Sequence, residues 1–288
     1  MRFLKSLLVL SMLVFLPHSF VQAQDDGNEL KLGWNKKMVG NLNFTQASFD
    51  NWAAGGENSW SWIFNLNGNF IRKMDKSHWT NIYKLEYGRS KVGSDEAKKT
   101  ADEIFLESEY SYFFRPVWAG YIAVNGRSQF AEGYDYETDP KTLTSKFINP
   151  AYFRESVGLK FMPSNNFNSR AGVGLKQTVV TDEMFAPIYT DKSDTDELEK
   201  LRNEIGLESV TNLTYQLKEN VVFASSLDLF ANMKAFNEVD VRWDNLIAAD
   251  ITKYIKVSFN FQLYYDRDIS IKRQLKQYLA VGLSYTFL

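Results

Sequence analysis

Ser59-Trp60-Ser61-Trp62-Ile63-Phe64-Asn65-Leu66-Asn67-Gly68-Asn69-Phe70-Ile71-Arg72 is the stretch whose reading decides the fold. Trp60, Trp62, Phe64, Leu66, Gly68 and Phe70 alternate with Ser61, Ile63, Asn65, Asn67, Asn69 and Ile71. A period of two sustained this long is a β-strand, because successive side chains leave opposite faces of the pleat. One face is apolar and the other largely polar. The pattern returns near the other end of the chain. There Ile255, Val257, Phe259, Phe261, Leu263 and Tyr265 oppose Lys256, Ser258, Asn260, Gln262, Tyr264 and Asp266. Leu275, Leu279, Val281, Leu283, Tyr285 and Phe287 then oppose Lys276, Ala280, Gly282, Ser284 and Thr286.

Outward from these runs, alternation marks about twelve strands, near 38–49, 59–73, 78–91, 102–115, 117–131, 148–162, 167–180, 203–218, 220–232, 238–251, 254–267 and 273–287. Helical spacing is scarce, with Thr195–Arg202 the one short polar candidate. Connections are brief at Met74–Ser77, Pro116, Pro163–Asn166, Glu219 and Thr252–Lys253. They are mostly longer at Asp50–Asn58, Val92–Ala101, Glu132–Phe147 and Thr181–Arg202. An even strand number with short turns on one side and longer loops on the other is the plan of outer-membrane barrels.

Period two also suits a soluble sandwich or a lipocalin-like barrel. The membrane reading is favoured because strands of about 12–15 residues exceed the ~5–6 usual in soluble sheets and suffice to cross a bilayer at a tilt. Apolar-face aromatics also gather toward strand ends, at Trp60, Trp62, Phe70, Trp79, Tyr112, Phe114, Trp118, Phe161 and Phe167, as interfacial girdles require. The expectation is an all-β chain: an antiparallel transmembrane β-barrel at 38–288, preceded by a short periplasmic segment at 24–37.

Residues 1–23 carry the marks of a secretory signal. Arg2 and Lys5 supply a positive start, Leu7–Leu16 a short apolar core, and Val21-Gln22-Ala23 a small-residue cleavage site. Export from a Gram-negative cytoplasm, with the outer membrane as destination, is the expectation. Composition excludes several other roles. The chain has 288 residues, 33 Lys plus Arg against 35 Asp plus Glu, and no cysteine. The near balance lacks the basic footprint of a nucleic-acid binder. Missing thiols exclude disulfides, thiolate metal sites and a cysteine nucleophile. A mean hydropathy of −0.33, with no apolar run long enough after the leader, excludes a helical membrane bundle.

Gly40-Asn41-Leu42-Asn43-Phe44-Thr45-Gln46-Ala47-Ser48-Phe49, followed by Asn51-Trp52-Ala53-Ala54-Gly55-Gly56-Glu57-Asn58-Ser59, resembles the signature of a Bacteroidota family catalogued as domain of unknown function 3078. The resemblance extends over nearly all of the chain beyond the leader. It implies an outer-membrane barrel and supplies no reaction.

No catalytic, metal or cofactor site is indicated. His18 lies in the leader, which leaves His78 as the one histidine beyond it, and the alternation puts it beside a short turn. A barrel hydrolase acting on surface lipid needs its base near the outer rim, within reach of a nucleophile or water. Gly172-Val173-Gly174 precedes no helix, so it reads as small residues within a strand and not as a phosphate loop. Asn51, Trp52, Gly55, Gly56 and Glu57 form a loop at the outer mouth, either a binding or gating element or a structural turn latched by an inward Trp52.

The polar face carries most of the functional information. It places Lys84, Glu86, Glu103, Glu107 and Glu109 inward on the third and fourth strands. Arg127, Arg154, Lys160, Arg170 and Lys176 follow on the fifth to seventh, and Glu204, Glu208, Asp228, Asp240, Asp244 and Asp250 on the eighth to tenth. Two readings stay open for the lumen-lining set Glu107, Glu109, Arg127, Arg154, Arg170, Lys176, Asp240 and Asp244. It is a charged constriction that orients a solute, or an ion-paired network that closes the lumen. The expected partners are outer-membrane lipid and a small solute or amphiphile, with no nucleic acid.

Overall fold

The computed structural model describes residues 30–191, 197–236, 238–267 and 269–288. The leader at 1–23 and the start of the helical candidate at Thr195 lie outside them. The strands are β1 (Gly33–Ala47), β2 (Ser59–Lys73), β3 (Ser77–Val92), β4 (Lys98–Arg115), β5 (Trp118–Ser128), β6 (Gly133–Asp135), β7 (Thr142–Ser145), β8 (Ala151–Ser164), β9 (Phe167–Val179), β10 (Leu201–Lys218), β11 (Val221–Asn232), β12 (Val239–Asp250), β13 (Ile255–Tyr265) and β14 (Gln274–Thr286). All but β6 and β7 form one closed antiparallel barrel of twelve strands, in the circular order β1-β14-β13-β12-β11-β10-β9-β8-β5-β4-β3-β2.

Several boundaries differ from expectation, among them the start of β4, which begins at Lys98 inside the expected connection Val92–Ala101. β1 begins at Gly33, so the last residues of the segment expected to precede the barrel are already in its wall. Leu201 and Arg202, expected to end a helix, instead open β10. Their pairing to Val179 and Thr178 of β9 outweighs a polar helical pattern that has no apolar face to bury.

The apolar faces point outward. Ile122, Val157, Leu279 and Leu283 are each 60% exposed or more, whereas the charged side chains of Glu109, Arg170 and Glu208 are buried. This inverts the arrangement of a water-soluble domain and is what a lipid-facing wall requires. Where the strands meet their short turns, outward aromatics stack into a girdle. Trp34 lies 5.8 Å from Trp79, Trp118 4.9 Å from Phe161, and Tyr285 4.9 Å from Phe287 between ring centres. Amphipathic rings are stable at that depth because the ring is desolvated while its polar edge stays hydrated.

Closure is uneven. β1 pairs with β2 from Gly33↔Lys73 to Ala47↔Ser59, but with β14 only from Val39↔Thr286 to Asn43↔Gly282. Gly282 is needed at this seam, since a Cβ there would stand 2.2 Å from Asn43 Oδ1 and 2.6 Å from the Leu42 carbonyl oxygen.

The longer loops carry their own small core. Val180, Phe185 and Ala186 are buried against Leu143 and Tyr189, through a 3-10 turn at Glu183–Phe185 and one helical turn at Ala186–Tyr189. Asn149 staples the two loops together. Its amide donates to the Phe147 carbonyl (3.0 Å) and Thr181 Oγ1 (2.8 Å), and its oxygen accepts from the backbone N–H of Thr181 (2.8 Å) and Asp182 (2.9 Å). Lys146 donates to Asp182 and holds that carboxyl below the usual aspartate range.

Candidate functional site

The lumen holds the chemistry, because alternation delivers every second residue of twelve strands to one enclosed space. A diameter-spanning contact organises it. Glu103 on β4 accepts from Arg127 on neighbouring β5 and from Arg242 Nη2 on β12 at 2.9 Å, and Arg242 Nε also reaches Asp244 at 2.9 Å. β4 and β12 stand six positions apart in either direction round the wall, so Glu103–Arg242 is a strut across the barrel.

A dense cluster fills the side of the lumen between β4 and β11. Arg170 on β9 donates from Nη2 to Glu107 (2.7 Å) and from Nη1 to Glu109 (2.6 Å). Glu109 also accepts from Lys160 at 2.5 Å and Ser111 at 2.6 Å. Arg154 makes a two-pronged contact with Asp228, at 2.9 and 2.6 Å. Glu208 Oε1 accepts from Tyr121 and Ser156, each at 2.7 Å. Arg154 Nε and Arg170 Nε lie 3.0 and 3.2 Å from Glu208 without aligned hydrogen bonds, so these two contacts are Coulombic attraction alone. Charges this deeply buried persist only when each finds an opposite partner, which this packing supplies.

Tyr121 reaches Glu208 from three strands away because the intervening wall is bare. Gly158 and Gly172 face each other across β8 and β9, and a Cβ on Gly172 would come within 2.7 Å of the Tyr121 hydroxyl. Gly172 and Gly174 lie inside β9, with no helix to make a phosphate loop.

A third cluster lies toward the longer loops. Lys176 donates to Asp240 at 2.6 Å and lies 3.3 Å from Asp266 and 3.7 Å from Glu204, so its ammonium is the cation that gathers three carboxylates. Among the described residues no group of three or more His, Cys, Asp and Glu is arranged to hold a metal ion.

The eight residues expected to line the lumen therefore separate into several ion-paired groups and do not form one ring. Arg170 meets Glu107 and Glu109, Arg154 meets Asp228, Lys176 meets Asp240, and Arg127 joins Asp244 only through Glu103 and Arg242. Arg242 and Tyr121 were missed by the sequence reading, which put Asp266 on the polar face without counting it among the lumen-lining residues. The signal for Arg242 was its place between Asp240 and Asp244 on the polar face, and for Tyr121 its parity with Arg127.

Two cavities flank the strut. One of about 330 Å³ lies on the longer-loop side, among Tyr152, Arg154, Lys176, Tyr189, Tyr264 and Asp266. Another, of about 410 Å³, lies among Asn41, Asn65, Glu86, Asn212, Ser258 and Tyr278. It extends toward the short turns by way of Thr214, Ala224, Ala248 and Lys256. A neck of about 60 Å³ sits between them, sharing Arg127, Asp228 and Arg242 with the first and Lys84, Asn212, Ser226 and Asp244 with the second.

The loop at 51–57, one of the longer connections, sits apart from this network. Trp52 is 64% exposed, so it is no inward latch. Asn51 at φ 53° and Gly55 at φ 81° shape the turn. It is fixed from behind, where Asn58 Oδ1 accepts from the Phe49 N–H at 2.6 Å and the Asn58 carbonyl accepts from the Gly93 N–H at 2.7 Å. His78 lies at the opposite end, at the start of β3, with its ring 4.8 Å from that of Phe113.

No curated protein matches the chain in sequence. Among solved structures, the translocator domain of autotransporter NalP from Neisseria meningitidis is similar at 10% identity and TM-score 0.39, covering 90% of each chain. The COG4313 outer membrane channel from Pseudomonas putida F1 is similar at 11% identity and TM-score 0.40, covering 91% of this chain and 98% of that one. The NanC porin is similar at 9% identity and TM-score 0.40, covering 86% and 98%. A family model described as a protein of unknown function, DUF481, matches residues 159–287. The expected resemblance is matched by the model described as a protein of unknown function, DUF3078, over residues 44–134, the stretch that holds the Asn51–Ser59 signature.

Proposed function

We propose that this chain is a narrow passage for small polar solutes across a Gram-negative outer membrane, reached after removal of the leader at 1–23, with the short turns in the periplasm. One observation carries the reading. The two polar cavities each share wall residues with a neck between them, so polar spaces succeed one another along the lumen with ion-paired side chains at their common walls. A neck of about 60 Å³ exceeds the ~10–15 Å³ that a single water needs. Water and small ions therefore fit at rest, and anything larger requires the pairs around Glu103 to part. A polar lining favours a solute over an amphiphile, and no cofactor or chemical step is invoked.

A second reading, a sealed structural barrel, is favoured by the strut itself, since Glu103–Arg242 crosses the full diameter. Planar-bilayer recording on the purified protein separates the two. The passage reading expects small unitary currents in potassium chloride that fall when the cation is exchanged for bulky tetraalkylammonium. Silent membranes containing correctly folded barrels would favour the sealed wall.

A further inference from the structure

The charged clusters occupy one side of the lumen, and the other side is chemically different. Asn41 and Asn43 on β1, Asn65 and Asn67 on β2, and Asn260 and Gln262 on β13 all line the 410 Å³ cavity. They place neutral amides on strands near the seam, with the Tyr278 ring beside them. The charges at its margin are mostly neutralised in place: Lys276 lies 3.2 Å from Glu86, Lys256 3.3 Å from Asp250, and Arg242 2.9 Å from Asp244. Lys84 lies over the Phe105 ring at 5.5 Å.

The amides are incompletely used by the protein. Asn65 Oδ1 accepts from Asn41 at 2.7 Å and from Asn67 at 3.3 Å. Asn41 Oδ1 is buried with no partner, although a side-chain amide carries both donors and acceptors that burial makes costly to leave empty. A chamber with that inventory is matched by a molecule that also presents donors and acceptors together, carries no net charge, and has a C–H face for an aromatic ring. Its volume falls within the ~300–1,000 Å³ of small-molecule sites.

We infer that this chamber is a binding site for an uncharged, hydroxyl-rich solute of mono- or disaccharide size. This deepens the passage reading and rests on it only for how the solute arrives. Charged analogues are disfavoured because no unpaired counter-charge offsets their desolvation apart from Lys84.

Isothermal titration calorimetry on the full chain in detergent, with maltose, gluconate and glucosamine as probes, tests the site. Maltose should bind in preference to both charged sugars. Asn65→Leu on β2 and Asn260→Leu on β13 should each weaken it by about tenfold, the loss of one good hydrogen bond. Heat-modifiable gel mobility reports whether each variant is folded, and the milder Asn67→Ser replaces any that is not. Absence of maltose binding, equal or tighter binding of gluconate or glucosamine, or unchanged affinity in the folded variants would each overturn the site. A barrel that binds maltose yet carries no current refutes the passage and keeps the site. One that conducts without binding maltose does the reverse.

Discussion

Arg170 shows what a single residue does in this lumen. It is 3% exposed and its guanidinium contacts Glu107, Glu109 and Glu208, so one side chain stabilises three carboxylates from two strands. Arg170→Met keeps the bulk and removes the charge. Lys160 still serves Glu109, but Glu107 loses its ion-pair partner among the described residues. The variant should lose about 3–5 kcal/mol of stability, as expected when half of a buried pair is removed. Urea unfolding in detergent measures it, and a loss below about 1 kcal/mol would mean that lumen water substitutes for the arginine. Parity along the strand was enough to put Arg170, Glu107 and Glu109 on the polar face. It could not pair them, because a residue's cross-lumen partner depends on the stagger of strands far apart in sequence, which alternation does not encode. That is why the sequence leaves a constriction and an ion-paired network both open for the eight charges, and why Tyr121, an aromatic among charges, is not marked as one of the lining residues.

At the scale of the strand, the assignment of faces makes a sharp distinction on β13 and β14. Phe259 and Leu283 point outward and Asn260 points into the lumen. Phe259→Arg and Leu283→Arg should each destabilise the barrel by roughly 2–4 kcal/mol if near the bilayer midplane, whereas Asn260→Arg should be tolerated. Folding into lipid vesicles followed by denaturant titration compares them, and equal sensitivity of all three would invalidate the register. The strands themselves were highly legible, since the pattern at 59–73 matches β2 along its whole length. The ends were less so. Gly33–Lys37 joins β1 through pairing to Lys73–Asn69 although its own alternation is blurred by Lys36 and Lys37. The small β6–β7 hairpin and the helical turn in the longer loops are held by tertiary contacts such as those of Asn149, which no local periodicity records.

The whole molecule is a wall with two sides and two ends. Its sides follow from composition, because lipid tolerates the apolar face and a polar lumen tolerates the other. Its ends follow from loop length, and the chain's lack of cysteine makes that testable without background labelling. A cysteine replacing exposed Asp139 in the longer β6–β7 connection should react with an impermeant maleimide on intact cells, and one replacing exposed Asp75 in the β2–β3 turn should not. Labelling of Asp75→Cys with protection of Asp139→Cys would invert the orientation. On the passage reading, the Glu103–Arg242 strut is what narrows the polar lumen between its two cavities. Single-channel conductance of Glu103→Gln, compared with the parent protein under the same salt, addresses that claim most directly. The variant removes the charge that draws Arg127 and Arg242 together, so its unitary conductance should rise. An unchanged conductance in a folded variant, or no current from either protein, would contradict the account.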